Sequence, residues 1–176
     1  MSDMRIIVDH MKLDYSGLFN AKELFKIINK WCQDRNIHKK EDKCFEQSLP
    51  EGKDMEYEIS PWKKISDYIR YIYRIRILFK EVKKTEVIKE KKKVKADQGR
   101  ILLYLDGFIE HDYEHRWDER PMFIFFRALF DRFIYKSYTE RFEHRLTHDI
   151  HDLYDEIERF LNTYRHYKVV SKSPHF

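Results

Sequence analysis

Residues 67–82 read DYIRYIYRIRILFKEV, and their alternation decides the fold. Ile69, Tyr71, Tyr73, Ile75, Ile77 and Phe79 take every second position, with Arg70, Arg74, Arg76 and Lys80 on the positions between. Successive side chains of a strand point to opposite faces, so this period of two predicts one long strand with an apolar face and a basic face. Such a strand needs a sheet around it and a cover over its apolar side.

Toward the N-terminus, Pro61 closes a shorter strand in which Met55, Tyr57 and Ile59 alternate with Glu56 and Glu58. The turn Pro50-Glu51-Gly52 joins it to a strand near Lys40 to Gln47, which makes a hairpin. Further back, Asn20 caps a helix, Glu23 takes the acidic position of a capping box, and Phe19 with Leu24 forms a hydrophobic staple. Leu24, Phe25, Ile28, Trp31 and Cys32 give that helix an apolar stripe, and Asn36 ends it. Arg5 to Tyr15 alternates as a first strand, with Ile6, Val8 and His10 on one face and Ile7 and Met11 toward the other.

Toward the C-terminus, a turn at Val82 to Thr85 is expected, with Thr85 to Lys95 pairing back on the long strand. Asp106-Gly107 signals either a tight hairpin between Ile101–Leu105 and Phe108–Tyr113 or a bulge within one longer strand. Asp118 caps a helix that starts near Glu119. A single helix from Glu119 to His166 would run roughly 70 Å, more than the ~40 Å width of a domain this size. Ser137 and Glu140 repeat the capping-box spacing, so two helices are expected, 119–136 and 139–166, before a flexible tail over 168–176. The fold class is α+β, a curved antiparallel sheet of about 6–7 strands wrapped around a long C-terminal helix, with one shorter N-terminal helix, in a single domain over 1–167.

The chain has 42% hydrophobic and 38% charged residues, a balance that argues against disorder and against a membrane span. Its longest apolar run, Met122 to Phe126, is interrupted by Arg127, far short of the ~20 residues a bilayer requires. Met1 to Arg5 lacks the pattern of a secretory signal, so a cytoplasmic location is expected. Cys32 and Cys44 are not spaced as a CxxC pair and are expected to be buried thiols rather than a bridge. No nucleophile elbow, phosphate loop, dinucleotide glycine pattern or HExxH is present, so no catalytic residue and no cofactor is assigned.

Three features carry candidate functions. Between Lys63 and Arg100, 14 Lys and Arg face 5 Asp and Glu, about +9, against about −5 in the remainder. Arg70, Arg74 and Arg76 share one strand face. Lys89, Lys91 and Lys93 share another if the following strand alternates, with Lys92 beside them. A basic hairpin of this kind fits nucleic acid or an acidic protein, or serves as a lysine-guarded sheet edge. His144, His148 and His151 share one helical face with Asp155 a turn further on, a spacing that suits either zinc or a solvated face, and no metal is assigned. His111 and His115 share a strand face without an evident partner. Finally, Leu146, Ile150, Leu153, Ile157, Phe160 and Tyr164 step by 4 and 3 as a heptad seam, to be buried within the chain or in a homodimer.

The order strand, helix, antiparallel strands, long helix resembles the helix-grip, START-like superfamily of lipid-transfer and polyketide-cyclase-like proteins over roughly Arg5 to His166. The resemblance implies an apolar small molecule or lipid held between sheet and C-terminal helix. Its pocket would be lined by Tyr71, Tyr73, Ile75 and Leu103 with Phe126, Phe130 and Phe133. The same side chains serve equally as the filling of an ordinary core.

Overall fold

The alternating segments form long antiparallel strands, and each ends or bends where a neighbour forces it to. The computed structural model describes residues 3–49, 52–89, 92–111 and 135–165. In chain order these are β1 (Asp3–Phe19), α1 (Ala21–Asp34), β2 (Glu41–Leu49), β3 (Gly52–Ile59), β4 (Trp62–Lys64), β5 (Ile69–Lys89), β6 (Lys92–His111) and α2 (Tyr135–Tyr164). The six strands make one curved, unclosed antiparallel sheet in the order β1-β6-β5-β3-β2, with β4 pairing β5. The α+β class, the curved sheet, the long C-terminal helix and the shorter N-terminal helix are those expected from sequence.

Helix α1 starts where its cap predicts. The Asn20 side chain accepts the N–H groups of Lys22 and Glu23, and Asp97 from β6 accepts that of Ala21. Three of the four orphan donors of the helix start are thereby satisfied. Glu23 has a further task, since its carboxylate accepts the Tyr164 hydroxyl at 2.6 Å and ties the start of α1 to the end of α2. Asn36, in the left-handed region at φ 52°, turns the chain away after the helix.

The apolar face of β5 is the floor of the core. Tyr71, Tyr73, Ile75, Ile77 and Phe79 are each at most 1% exposed, and α1 covers them with Leu24, Ile28, Trp31 and Cys32. Helix α2 adds Leu146, Ile150, Leu153, Ile157 and Leu161. Burying each large apolar side chain contributes ~1.5–3 kcal/mol, so this shared interior supplies most of the stability. The seam residues Leu146, Ile150, Leu153, Ile157 and Tyr164 are therefore buried within the chain, with Phe160 partly buried beside them.

Three sequence expectations are corrected. Asp106-Gly107 is no hairpin; the alternative of one longer strand holds, since β6 runs through it, with the extra residues in β1 opposite, two between Ile6 and Met11. Glycine stands at 107 because α2 presses on the strand there, and a Cβ would collide with the Ile150 side chain. Val82 to Thr85 is not a turn either; β5 continues to Lys89 past a one-residue bulge between Lys80 and Lys83, with Glu81 at φ 53°. Lys89 pairs with Lys92, so the chain reverses between them. Lastly, α2 is unbroken through Ser137 to Thr139 and spans 30 residues. Its length is accommodated because the strands it lies across are themselves up to 21 residues long. The expected helix 119–136 up to residue 134 and the tail 168–176 lie outside the described residues.

Gly107→Ala is expected to lower the unfolding free energy by about 1–3 kcal/mol, the usual cost of overpacking a filled core. Urea unfolding followed by circular dichroism measures it, and an unchanged midpoint would show that α2 does not press on β6 at this point.

Candidate functional site

The two faces of the sheet separate the candidate sites. On the inner face, Tyr71, Tyr73, Ile75 and Leu103 are fully buried, while Phe126, Phe130 and Phe133 lie outside the described residues. The tyrosine hydroxyls donate to α2, Tyr71 to the Phe142 carbonyl and Tyr73 to Asp149 Oδ2, both at 2.9 Å. Burial and the Asp149 charge hold the Tyr73 hydroxyl far above the usual phenol range. Arg35, at the end of α1, completes the junction through Asp149 at 3.3 Å and Asp152 at 2.8 Å. An apolar ligand at this wall would have to displace these contacts.

On the outer face, Arg70, Arg74 and Arg76 each lie over an aromatic ring, those of Trp62, Phe108 and Tyr104 at 5.6, 5.1 and 5.8 Å. Each also meets a carboxylate: Glu110 for Arg70, and Glu58 for Arg74 and Arg76 at 3.7 and 4.0 Å. These arginines fasten neighbouring strands to one another. At ~3.3 Å per residue, Arg74 and Lys89 stand about 50 Å apart along β5. The structure therefore does not bring the predicted basic residues into one patch. Nor do Lys89, Lys91 and Lys93 alternate along one strand, because the reversal falls among them: Lys89 pairs with Lys92, Lys93 pairs with Ile88, and Lys91 lies outside the described residues.

What the lysines do form is an arm. Pairing of β1 with β6 stops at Phe19 and Asp97, and pairing of β3 with β5 stops at Lys53 and Val82. Among the described residues Thr85–Lys89 and Lys92–Ala96 therefore pair only with each other. One side of the arm rests on α2, where Val87 and Ala96 are buried with Leu18 and Tyr164. Residues 83–95 hold seven lysines against two glutamates. Lys83, Lys84 and Lys95 are exposed, and among the described residues no carboxylate pairs with them. At the root of the arm a groove of about 760 Å³ crosses the sheet, lined by Lys80, Lys83, Arg100, Asp54 and the backbone of Gly17 and Gly99. Lys80 pairs with Asp54 at 2.9 Å and Arg100 with Asp14 at 2.7 Å, which leaves Lys83 as the uncommitted cation of the groove.

The bulges place two aspartates. In β5, the N–H of Glu81 donates to Asp54 Oδ1 at 2.8 Å; in β1, that of His10 donates to Asp106 Oδ1 at 2.6 Å. Both donors belong to residues in the left-handed region, whose N–H has left the ladder. The β1 bulge also draws Asp9 and His10 together, with His10 Nδ1 2.5 Å from Asp9 and 3.6 Å from Asp106. Hydrogen bonding to Asp9, with the charge of Asp106, raises the imidazole above its ordinary pKa. Sequence reasoning missed this group because its members meet only through strand pairing.

His144, His148, His151 and Asp155 are exposed along α2, where His148 takes Asp152 at 3.1 Å. Among the described residues they do not converge as metal ligands. His111 is buried beside the Tyr68 ring, and His115 lies outside the described residues. Cys32 is buried and its thiol is pushed up to about 11, whereas Cys44 is exposed. No described helix is long and apolar enough to cross a membrane. Comparison with protein-family models, with curated proteins and with solved structures yields no match.

The Glu81 N–H, and after it the Lys80 ammonium, hold the Asp54 carboxyl below the ordinary aspartate pKa. The charged form therefore favours folding above the unfolded pKa of about 3.9, and that contribution fades as pH falls through the lower folded value. Asp54→Asn is thus expected to be less stable than wild type at neutral pH and to converge with it in acid. Thermal melts across pH test this, and a constant gap at every pH would contradict it.

Proposed function

We propose that this chain is a binding module whose lysine arm and root groove take the phosphates of a nucleic-acid strand. The observation that carries this reading is a contrast in charge pairing. Over the body of the sheet, cations are matched by carboxylates: Arg70 with Glu110, Arg100 with Asp14, Lys80 with Asp54, Lys43 with Glu56. On the arm, Lys83, Lys84 and Lys95 are exposed and have no carboxylate partner among the described residues, and Lys83 reaches into the groove. A row of unpaired ammonium groups attracts a polyanion by releasing its condensed counterions, which requires no base-specific contact.

The alternative of an acidic protein partner uses the same lysines. Nucleic acid is preferred because a phosphate strand can be held by charge alone, which is what exposed lysines without acidic partners offer. The apolar-ligand reading, drawn from the likeness to the helix-grip superfamily in element order, draws no support from the hydrogen-bonded tyrosine wall.

Fluorescence anisotropy with short single-stranded oligonucleotides across a salt series tests the proposal. Affinity should fall with salt, and Lys83→Gln, Lys84→Gln and Lys95→Gln together should reduce the slope of log K against log salt by about 2. Arg70→Gln, at the far end of β5, should leave that slope unchanged. Equal affinity for polyglutamate would shift the assignment to an acidic protein, and binding indifferent to the three lysines would overturn it.

A further inference from the structure

Asp54 and Asp106 do the same structural task, accepting the N–H that a bulge has freed, and they differ in how their charge is met. Asp54, 20% exposed, pairs with Lys80. Asp106, only 3% exposed, has no lysine or arginine partner among the described residues, and only one of its oxygens accepts a hydrogen bond. A buried carboxylate is costly unless it is paired. Its surroundings deepen the deficit, because Asp9 brings a second carboxylate and His10 is the one group between them.

The nearby cations are engaged elsewhere. Lys12 lies 3.8 Å from Asp14 and over the Tyr104 ring; Arg76 also lies over that ring and, with Arg74, addresses Glu58. Candidate ligand atoms of Asp9, His10 and Asp106 all fall within 4.8 Å of one another. Ligands of a tetrahedral zinc stand about 3.4 Å apart, given metal–ligand bonds of about 2.1 Å. Small rotations close that difference, and Asp9 and His10 are free to make them at 68% and 60% exposure.

We infer that Asp9, His10 and Asp106 form a site for one divalent cation of the zinc class. Two carboxylate oxygens and one imidazole nitrogen make a mixed donor set, and the imidazole favours zinc-like ions over magnesium or calcium. Three protein ligands leave an outward position for water, as the exposure of Asp9 and His10 requires. The cation takes the place of the proton shared between His10 Nδ1 and Asp9, and it supplies the counter-charge that Asp106 lacks. This inference is independent of the nucleic-acid reading, which rests on other residues.

Isothermal titration of the full chain with zinc in chelator-free buffer, paired with NMR of the histidine ring signals, tests the site. One strong equivalent should bind and shift the His10 signals. Asp9→Asn and Asp106→Asn should each weaken binding about tenfold or more, at least the loss seen for outer-shell partners. His148→Gln, on the exposed face of α2, should change nothing. Asparagine at 106 keeps an oxygen for the His10 N–H; should that variant still misfold, the exposed Asp9→Asn carries the test. Zinc uptake that follows His148, survives both asparagine variants in the folded protein, or fails even at millimolar zinc overturns the site.

Discussion

A sheet whose strands reach 21 residues can enclose a helix only by curling, and it curls here where extra residues enter β1 and β5. Each bulge lifts a backbone N–H out of the ladder and would leave it without a ladder partner. An aspartate on the neighbouring strand accepts it, Asp106 for His10 and Asp54 for Glu81. The β1 bulge lies opposite Gly107, where α2 is seated, and the β5 bulge borders the groove at the root of the arm.

The distribution of charge follows from this frame. Where neighbouring strands run side by side, arginines and lysines find acids across the ladder and lie over rings of the outer face. Among the described residues no outer strand accompanies β5 and β6 past Val82 and Asp97, and Lys83, Lys84 and Lys95 there have no acidic partner. The basic excess read in the sequence is real, but pairing divides it between structural arginines on the body and open lysines on the arm. At the β1 bulge the imbalance is reversed, with two carboxylates sharing one imidazole.

Local signals were legible in the residues themselves. Asn20 caps α1 as expected because the cap and the donors it serves are two and three residues apart. The β2–β3 hairpin and the one-sidedness of β5 could be read for the same reason: alternation needs only the strand itself. Misreadings fell where distant contacts override a local cue. Asp106-Gly107 has the composition of a tight turn, yet its glycine answers to Ile150 and its aspartate to His10, 96 residues away. Ser137 and Glu140 have the spacing of a helix start, yet α2 passes through them.

The sequence by itself determined the α+β class, the apolar face of β5, the start and stop of α1 and the seam of α2, because each is a periodicity or a cap written within a few residues. Only the tertiary structure decided where the strands bend, which cations remain unpaired, and that Asp9, His10 and Asp106 share one corner. Those outcomes depend on which residue lies opposite which across the ladder, and a single inserted residue in one strand shifts every pairing beyond it.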